Sequence, residues 1–201
     1  MNVRHVILLR HGATAHSASG RYSGRVDYPL SELGWRQAER WRSTLASAEN
    51  LRVRTSPLSR AADTATAAGF ARALRDERLL EWDLGCLEGV EADRFRRENP
   101  EWNLFLDGPP ARSGESPAAV QVRARTVVES AATEAGQIVV LVSHGQFLRA
   151  LALEFLGLPI ADGRALSLGP ARAGLLTRRG ARWSLTGWNI LPVEGMFDDL
   201  T

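Results

Sequence analysis

Two stretches of the chain end a run of apolar residues in the same way. The first is Val6-Ile7-Leu8-Leu9-Arg10-His11-Gly12, and the second is Val139-Val140-Leu141-Val142-Ser143-His144-Gly145. Short apolar runs of this kind are typical of strands buried in a parallel sheet. The carboxyl ends of such strands share one edge of the sheet, where ligands bind in open α/β folds. The sequence therefore predicts that two histidines meet at one ligand site.

Segments of strand character alternate with helical segments along most of the chain. Helix starts are predicted at Ser31, at Ser56 as N-cap with Pro57 in the first helical position, at Ser116 and at Gly145. The first helix should run from Glu32 to about Ala48, and two late strands flank a turn at Gly180. This pattern predicts an α/β protein, a three-layer α/β/α sandwich with a mostly parallel central sheet and an antiparallel edge strand.

The length and composition indicate one domain. The chain has 201 residues, 44% of them hydrophobic, which suffices for a single core. We expect one domain over residues 1–201, with the irregular segment 90–114 as a small insertion over the site. No apolar run approaches the roughly 20 residues that span a bilayer, and the lone Cys86 excludes an internal disulfide. These features predict a cytoplasmic protein with no membrane partner.

The basic residues are all arginines. The 25 basic residues include no lysine, and the formal net charge is only +2 because 23 carboxylates lie among them. We therefore predict no nucleic-acid partner, but a bias toward small anionic molecules.

Two arginines are placed to bind an anion. Arg10 precedes the first histidine, and Arg60 falls in the first turn of the helix predicted after Ser56. A cation near a helix N-terminus is unfavourable by roughly 0.3–1 kcal/mol unless an anion lies close to it. Guanidinium groups and helix N-termini both bind phosphate. We therefore expect a bound phosphate group beside these arginines.

Two histidines beside a phosphate group indicate phosphoryl transfer. One neutral imidazole can attack phosphorus, while the other stabilises the transition state. The leaving oxygen then needs a proton from a general acid. Glu81 is the best candidate, because Leu79-Leu80 and Trp82 give it an apolar setting that favours a protonated carboxyl. Asp83 and Glu88 remain alternatives.

Six segments together carry a resemblance to a known family: residues 9–14, 24–34, 56–61, 81–89, 114–116 and 142–145. In this order along the chain they resemble the histidine phosphatase superfamily, and within it the branch named after cofactor-dependent phosphoglycerate mutase. The likeness covers most of the chain, to about Asn189. It implies an α/β fold and an enzyme that acts on phosphate esters.

The resemblance implies a role for each matched residue. His11 would be the nucleophile and Glu81 the proton donor, while the phosphate pocket would be formed by Arg10, Arg60 and His144. The substrate side would be lined by Ser17, Arg21, Ser23, Gly24, Gly145 and Gln146. The resemblance implies neither a metal nor an organic cofactor.

Departures from the mutases of this branch favour a phosphatase. Ser17 stands where they carry asparagine, and Trp82 where they carry arginine. Their longer insertion holds an arginine pair for a second phosphate, whereas Arg96-Arg97 here lies on the wrong side of Trp102 for a simple match. A shorter insertion leaves a more open site, where water competes for the phosphoryl group.

We therefore expect a phosphomonoester hydrolase that works through a phosphohistidine on a small phosphorylated metabolite. The alternatives are a phosphoglycerate mutase-type phosphotransferase and a non-catalytic phosphate-binding module. The sequence leaves the natural substrate open, and a homodimer as well as a monomer.

Overall fold

A six-stranded sheet in the order β3-β2-β4-β1-β5-β6 runs through the computed structural model, which describes residues 3–46, 48 and 50–193. The strands are β1 His5–Arg10, β2 Leu51–Thr55, β3 Leu74–Arg75, β4 Ile138–Ser143, β5 Ala173–Arg179 and β6 Arg182–Ile190. The first four strands pair in parallel, and β5 and β6 form an antiparallel hairpin at one edge. The predicted mostly parallel sheet is confirmed, and its antiparallel edge consists of two strands.

Helices cover both faces of the sheet. They are α1 Ala15–Ala18, α2 Glu32–Glu39, α3 Trp41–Ala46, α4 Ser59–Ala67, α5 Ala92–Glu98, α6 Leu104–Asp107, α7 Pro117–Ala132 and α8 Gly145–Leu156. Val6 and Leu8 of β1 belong to the core shared with α7 and α8, whereas Ile7 and Leu9 belong to the core shared with α3 and α4. Alternate residues of a strand point to opposite faces, so an unbroken apolar run is what a sheet between two helical layers requires.

Two predicted helix caps are confirmed, and a glycine ends α8. Ser31 and Ser116 cap α2 and α7, because their hydroxyls accept hydrogen bonds from the backbone N–H groups of Gly34 and Ala119. Gly157 ends α8 in the left-handed conformation, with φ of 67°, which glycine adopts without strain.

The prediction that Ser56 caps a helix was wrong. α4 begins at Ser59, and the preceding Leu58 makes no side-chain cap bond. Asp27 takes over the capping, since its carboxylate accepts from the backbone N–H of Ser59 at 2.9 Å. The Ser56 hydroxyl instead lies 2.8 Å from Nε2 of His144. A hydrogen bond to His144, a residue distant in sequence, thus forms in place of the predicted cap.

The helix predicted from Glu32 to about Ala48 is two helices. α2 ends at Glu39 and α3 begins at Trp41, with Arg40 between them. α3 ends at Ala46, and the predicted end borders residues 47 and 49, which lie outside the described residues.

The loop after β1 is held against the start of α2. A Cβ atom on Gly12 would lie 2.3 Å from the carbonyl oxygen of Gly34, so only glycine allows this approach. The loop then continues through α1 to an isolated bridge between Thr14 and Leu30. Among the described residues, none of the helices is both long and apolar enough to cross a bilayer. One domain over residues 1–201 stays a prediction.

Candidate active site

The two histidines that follow β1 and β4 lie side by side. Arg10 pairs with Ser143 in the parallel register, and the backbone N–H of His11 donates to the carbonyl of Ser143 at 2.9 Å. The ring centroids of His11 and His144 are 5.2 Å apart. The register of β1 and β4 therefore brings both imidazoles to one edge of the sheet.

One ring nitrogen of His11, Nε2, carries no hydrogen. Its Nδ1 lies 2.7 Å from the carbonyl oxygen of Gly12, and a carbonyl only accepts, so Nδ1 carries the hydrogen. Burial lowers the pKa of His11 well below its ordinary value, and the cations Arg10 and Arg60 lower it further. The neutral ring borders the cavity, and its Nε2 lone pair is a nucleophile.

His144 is fully buried, and both its ring nitrogens bond to protein atoms. Nε of Arg60 donates to Nδ1 at 3.1 Å, so the ring hydrogen is on Nε2, which donates to Ser56. Burial and then Arg60 lower the pKa of His144 well below its ordinary value. His144 thus fixes the position of Arg60 in a layer behind the cavity.

Arg60 lies under the loop that follows α1. Its two terminal nitrogens donate to the carbonyls of Val26 at 2.8 Å and Gly24 at 2.7 Å. The carboxylate of Asp27 lies 3.8 Å from the guanidinium, so a carboxylate of the protein, where the sequence predicted a bound phosphate, compensates the cation at this helix start. A guanidinium has five N–H donors, so two remain after the bonds to Val26, Gly24 and His144.

Gly24 lies behind the cavity rather than on its wall. Its backbone N–H donates to Oε2 of Glu88 at 2.8 Å, and its carbonyl accepts from Arg60. A Cβ atom at this position would lie 2.9 Å from Glu88 and 3.0 Å from the carbonyl of Trp82. Gly24 therefore positions Arg60 and Glu88.

Arg10 lies between the cavity and the start of α8. Its guanidinium donates to the carbonyl of Leu168, and its buried Nε has no hydrogen-bond partner in the described part of the chain. A Cβ atom on Gly145 would lie 3.2 Å from this Nε and from Cζ. Glycine at position 145 thus lets the helix N-terminus approach the arginine, and Nε is left for an anion.

The carboxyl group of Glu81 sits on the N-terminus of α8. Oε1 accepts from the backbone N–H groups of Trp82 and Phe147 at 2.8 Å, and Oε2 accepts from that of Gln146 at 3.1 Å. Glu81 borders the cavity, whereas its two rivals are not among the lining residues. Asp83 accepts from the N–H of Gly85, and Glu88 from that of Gly24.

The cavity has a volume of about 440 Å³. The predicted residues on its wall are Arg10, His11, Ser17, Arg21, Ser23, Glu81, Gly145 and Gln146. The buried hydroxyl of Ser23 has no partner among the described residues and is available to a ligand. The hydroxyl of Ser17 is engaged, because it forms a capping box with Thr14.

Several residues of the wall were not predicted. They include Tyr22, Asp93, Arg96, Arg149 and Leu168. Arg149 lies one turn after Gly145 on α8, and helical periodicity alone could have placed it on the face of Gly145. Segment 90–114 was predicted to lie over the site, but its sequence does not indicate which side chains of α5, here Asp93 and Arg96, reach the wall. No cluster of metal-ligating side chains occurs in residues 3–46, 48 and 50–193.

Comparisons with known proteins agree with this arrangement. Residues 6–191 match the model of the histidine phosphatase superfamily, branch 1. An acid phosphatase of Mycobacterium tuberculosis is 37% identical over 180 residues, which cover 87% of this chain and 88% of the relative. A probable phosphoglycerate mutase of Yersinia enterocolitica is 32% identical, over 92% of this chain and 90% of the relative. The solved structure of an open reading frame from Mycobacterium tuberculosis superposes with a TM-score of 0.88 at 33% identity, over 94% of this chain and 99% of that one.

Proposed function

The chain belongs to branch 1 of the histidine phosphatase superfamily, and from that membership we propose that it hydrolyses phosphomonoesters through a phosphohistidine on His11. One observation carries the proposal: His11 and Glu81 line the same cavity. His11 is neutral and its Nε2 bears no hydrogen. A nucleophile and a proton donor in one cavity are what the reaction needs.

In the first step, Nε2 of His11 attacks phosphorus and the bond to the ester oxygen breaks. Glu81 gives its proton to the leaving oxygen, and the alcohol departs. Arg10 receives the phosphoryl oxygens, and Arg60 adds its positive charge from behind His11, held in place by His144. Fixed cations in a buried site stabilise such a transition state without rearranging.

In the second step, water replaces the alcohol. The carboxylate of Glu81 takes a proton from this water as its oxygen attacks phosphorus. The bond between nitrogen and phosphorus breaks, inorganic phosphate leaves, and His11 and Glu81 return to their starting states. No metal takes part in either step, so we expect phosphate release to continue in EDTA.

Phosphoryl labelling tests the nucleophile. The protein is mixed with a ³²P-labelled ester and quenched in alkali, which preserves phosphohistidine. We expect the native chain to hold the label and His11→Ala to lose both label and turnover. His16→Ala is the matched control, because His16 stacks on Tyr28 in the same loop and does not line the cavity. Full turnover in His11→Ala would refute the assignment.

A mutase-type transfer is the second candidate, favoured by the relative of Yersinia enterocolitica. It shares the first step, but the phosphoryl group returns to an alcohol instead of passing to water. Incubation with 3-phosphoglycerate and bisphosphoglycerate separates the two. We expect phosphate release to exceed isomerisation.

We further propose one domain over residues 1–201, because all six strands described share one sheet. A cytoplasmic location is supported by the free, exposed Cys86. A homodimer stays a prediction, which the molecular mass in solution tests.

A further inference from the structure

A side chamber adjoins the cavity near the start of α8. It has a volume of about 200 Å³ and shares Tyr22, Arg96, Gln146 and Arg149 with the cavity. The rest of its wall is formed by Trp102, Asn103, Leu104, Phe105 and Arg164. None of His11, Arg10 and Glu81 lines it, so it lies beyond the residues that act on phosphorus.

The wall of the side chamber is strongly cationic. Three of its nine residues are arginines, and none is an aspartate or glutamate. The carboxylate of Asp93, on the wall of the main cavity, pairs with Arg96 at 3.2 Å. Two more carboxylates act from outside the wall: Asp107 accepts from the backbone N–H of Asn103 at 2.7 Å, and Glu81 acts on Arg149 from the main cavity. The wall itself carries only cations, and an excess of like charge in a partly enclosed space attracts a counter-ion.

Arg149 is fixed in a position to bind an anion. Its Nε and one terminal nitrogen donate to the carbonyl of Gly163, and the other terminal nitrogen donates to Oε1 of Gln146 at 2.6 Å. The guanidinium lies 4.3 Å from the ring centre of Phe105. Since three of five N–H donors are used, two remain. Burial lowers the pKa of Arg149 to about 10, with Arg10 and Arg96 adding to the effect and Glu81 opposing it.

Arg96 approaches the same space from α5. Its guanidinium lies 5.7 Å from the ring centre of Tyr22, and its side chain is 56% exposed. Unlike Arg149, it makes no bond to a backbone carbonyl among the described contacts. It can therefore move onto a ligand that reaches the side chamber.

We propose that the side chamber binds a second anionic group, carried by the alcohol part of the substrate, and that Arg96 and Arg149 determine this specificity. The proposal rests on the proposed function, since it places the first anion, the phosphoryl group, beside His11. The substrate class is a phosphomonoester whose alcohol bears a carboxylate or a second phosphate. Planar guanidinium groups bind both anions through paired hydrogen bonds.

Matched esters test the charge requirement. The carboxylate arm compares 3-phosphoglycerate with its methyl ester, and the phosphate arm compares propane-1,3-diol bisphosphate with 3-hydroxypropyl phosphate. A hydrogen bond to a charged group contributes about 1.5–3 kcal/mol, so we expect kcat/KM to be about tenfold or more higher for the charged member of at least one pair. The arm that shows the preference identifies the anion.

Variants test the residues. We expect Arg149→Gln to reduce the charged-to-neutral ratio of kcat/KM about tenfold and Arg96→Gln about threefold, because Arg96 is more exposed. Arg149→Lys should recover part of the ratio. Arg97→Gln is the matched control: it makes the same charge change on α5, lies outside both cavities and should keep the native ratio. A variant that merely destabilises the fold lowers both esters alike.

The outcomes separate the two proposals. If the native protein hydrolyses none of the four esters nor nitrophenyl phosphate, the proposed function fails. If it hydrolyses them with a charged-to-neutral ratio near one in both arms, the side chamber proposal is overturned while the function stands. A high ratio that survives both Arg96→Gln and Arg149→Gln also overturns it.

Discussion

The end of the main cavity at His11 and Arg10, here called the phosphate end, and the side chamber are built from different parts of the fold. His11 and His144 follow two paired central strands, and Nδ1 of His11 and both ring nitrogens of His144 hold fixed backbone or side-chain partners. Arg96 and Arg164 come from the short helix α5 and the 3₁₀ segment Ile160–Ala165, and both are exposed. Buried polar groups must keep their partners, whereas exposed ones can be exchanged. The phosphate end is therefore constrained by folding, whereas Arg96 and Arg164 in the side chamber are not; if the side chamber binds the alcohol part as proposed, substrate choice can change at these two residues.

The largest effect that tests this division is expected at Glu81. The proposed mechanism places its carboxyl at the ester bond of the substrate, between the phosphate end and the side chamber. We expect Glu81→Gln to lower kcat/KM for alkyl phosphates about 10²–10⁴-fold, the usual contribution of a general acid. The kcat/KM of nitrophenyl phosphate should fall far less, because this ratio covers the reaction only up to departure of the alcohol, and the nitrophenyl leaving group needs no proton. Steady-state kinetics on both esters provides the measurement.

Asp83→Asn is the control for that experiment. Asp83 is two residues away and accepts a hydrogen bond from Gly85, but it does not line the cavity. We expect its loss to be the same for both esters. An equal loss in Glu81→Gln, or a dependence on the leaving group in Asp83→Asn, would move the acid role away from Glu81.

The buried histidines predict that acid weakens the fold. The pKa values of His11 and His144 are lowered in the native state, so below pH 6.5 the unfolded chain binds protons that the folded chain does not. Stability is then complete above pH 6.5 and declines as the pH falls toward the lowered values. Between pH 7.5 and 5.5 we expect a loss of at most about 2–3 kcal/mol, the amount for two imidazoles that stay neutral in the folded chain over this range, measured by denaturant unfolding.

Two comparisons show whether the loss belongs to the phosphate end. His11→Gln removes one of the two titrating groups and should reduce the loss by about half. Inorganic phosphate should reduce it in the native protein, because a bound dianion favours protonated imidazoles. A loss that neither change affects would arise elsewhere in the molecule, for example at His5, whose pKa burial also lowers.

The same contrast explains what sequence could and could not predict. The apolar runs before His11 and His144 report local strand formation, and parallel pairing then fixes where the histidines meet. The superfamily, the sheet and the residues at strand ends followed from these short patterns. The place of Glu81 on the cavity wall agrees with its selection from the sequence, but its carboxyl accepts from three backbone N–H groups rather than lying in the predicted apolar setting, and its role as the acid stays a proposal.

Features that depend on distant partners were missed. Ser56 precedes Pro57 in a pattern typical of a helix cap, but its hydroxyl is hydrogen-bonded to His144, 88 residues away. Arg96 has the pattern of a solvated helix face, and only the packing of α5 brings it beside Tyr22 and Arg149. Local propensity cannot register a contact whose two halves lie far apart in the chain.

The segment that carries Glu81 offers a smaller and more specific test. Arg123 on α7 donates to the carbonyls of Arg78 at 2.8 Å and Leu80 at 2.7 Å, and it pairs with Glu115 at 2.8 Å. Glu115 in turn accepts from the backbone N–H of Asp83 at 2.9 Å. The Arg123–Glu115 pair thus binds the backbone on both sides of Glu81 and positions the carboxyl that we propose as the acid.

Arg123→Lys keeps the charge but loses the fork that reaches two carbonyls and a carboxylate at once. We expect kcat/KM to fall about tenfold for alkyl phosphates, roughly one charged hydrogen bond, and less for nitrophenyl phosphate. Arg125→Lys is the matched control, because Arg125 lies on the same helix and pairs with Glu154 at 2.9 Å. A misplaced acid makes the defect depend on the leaving group, whereas general loosening of the fold does not. Equal defects on both esters would therefore show that the pair only stabilises the structure.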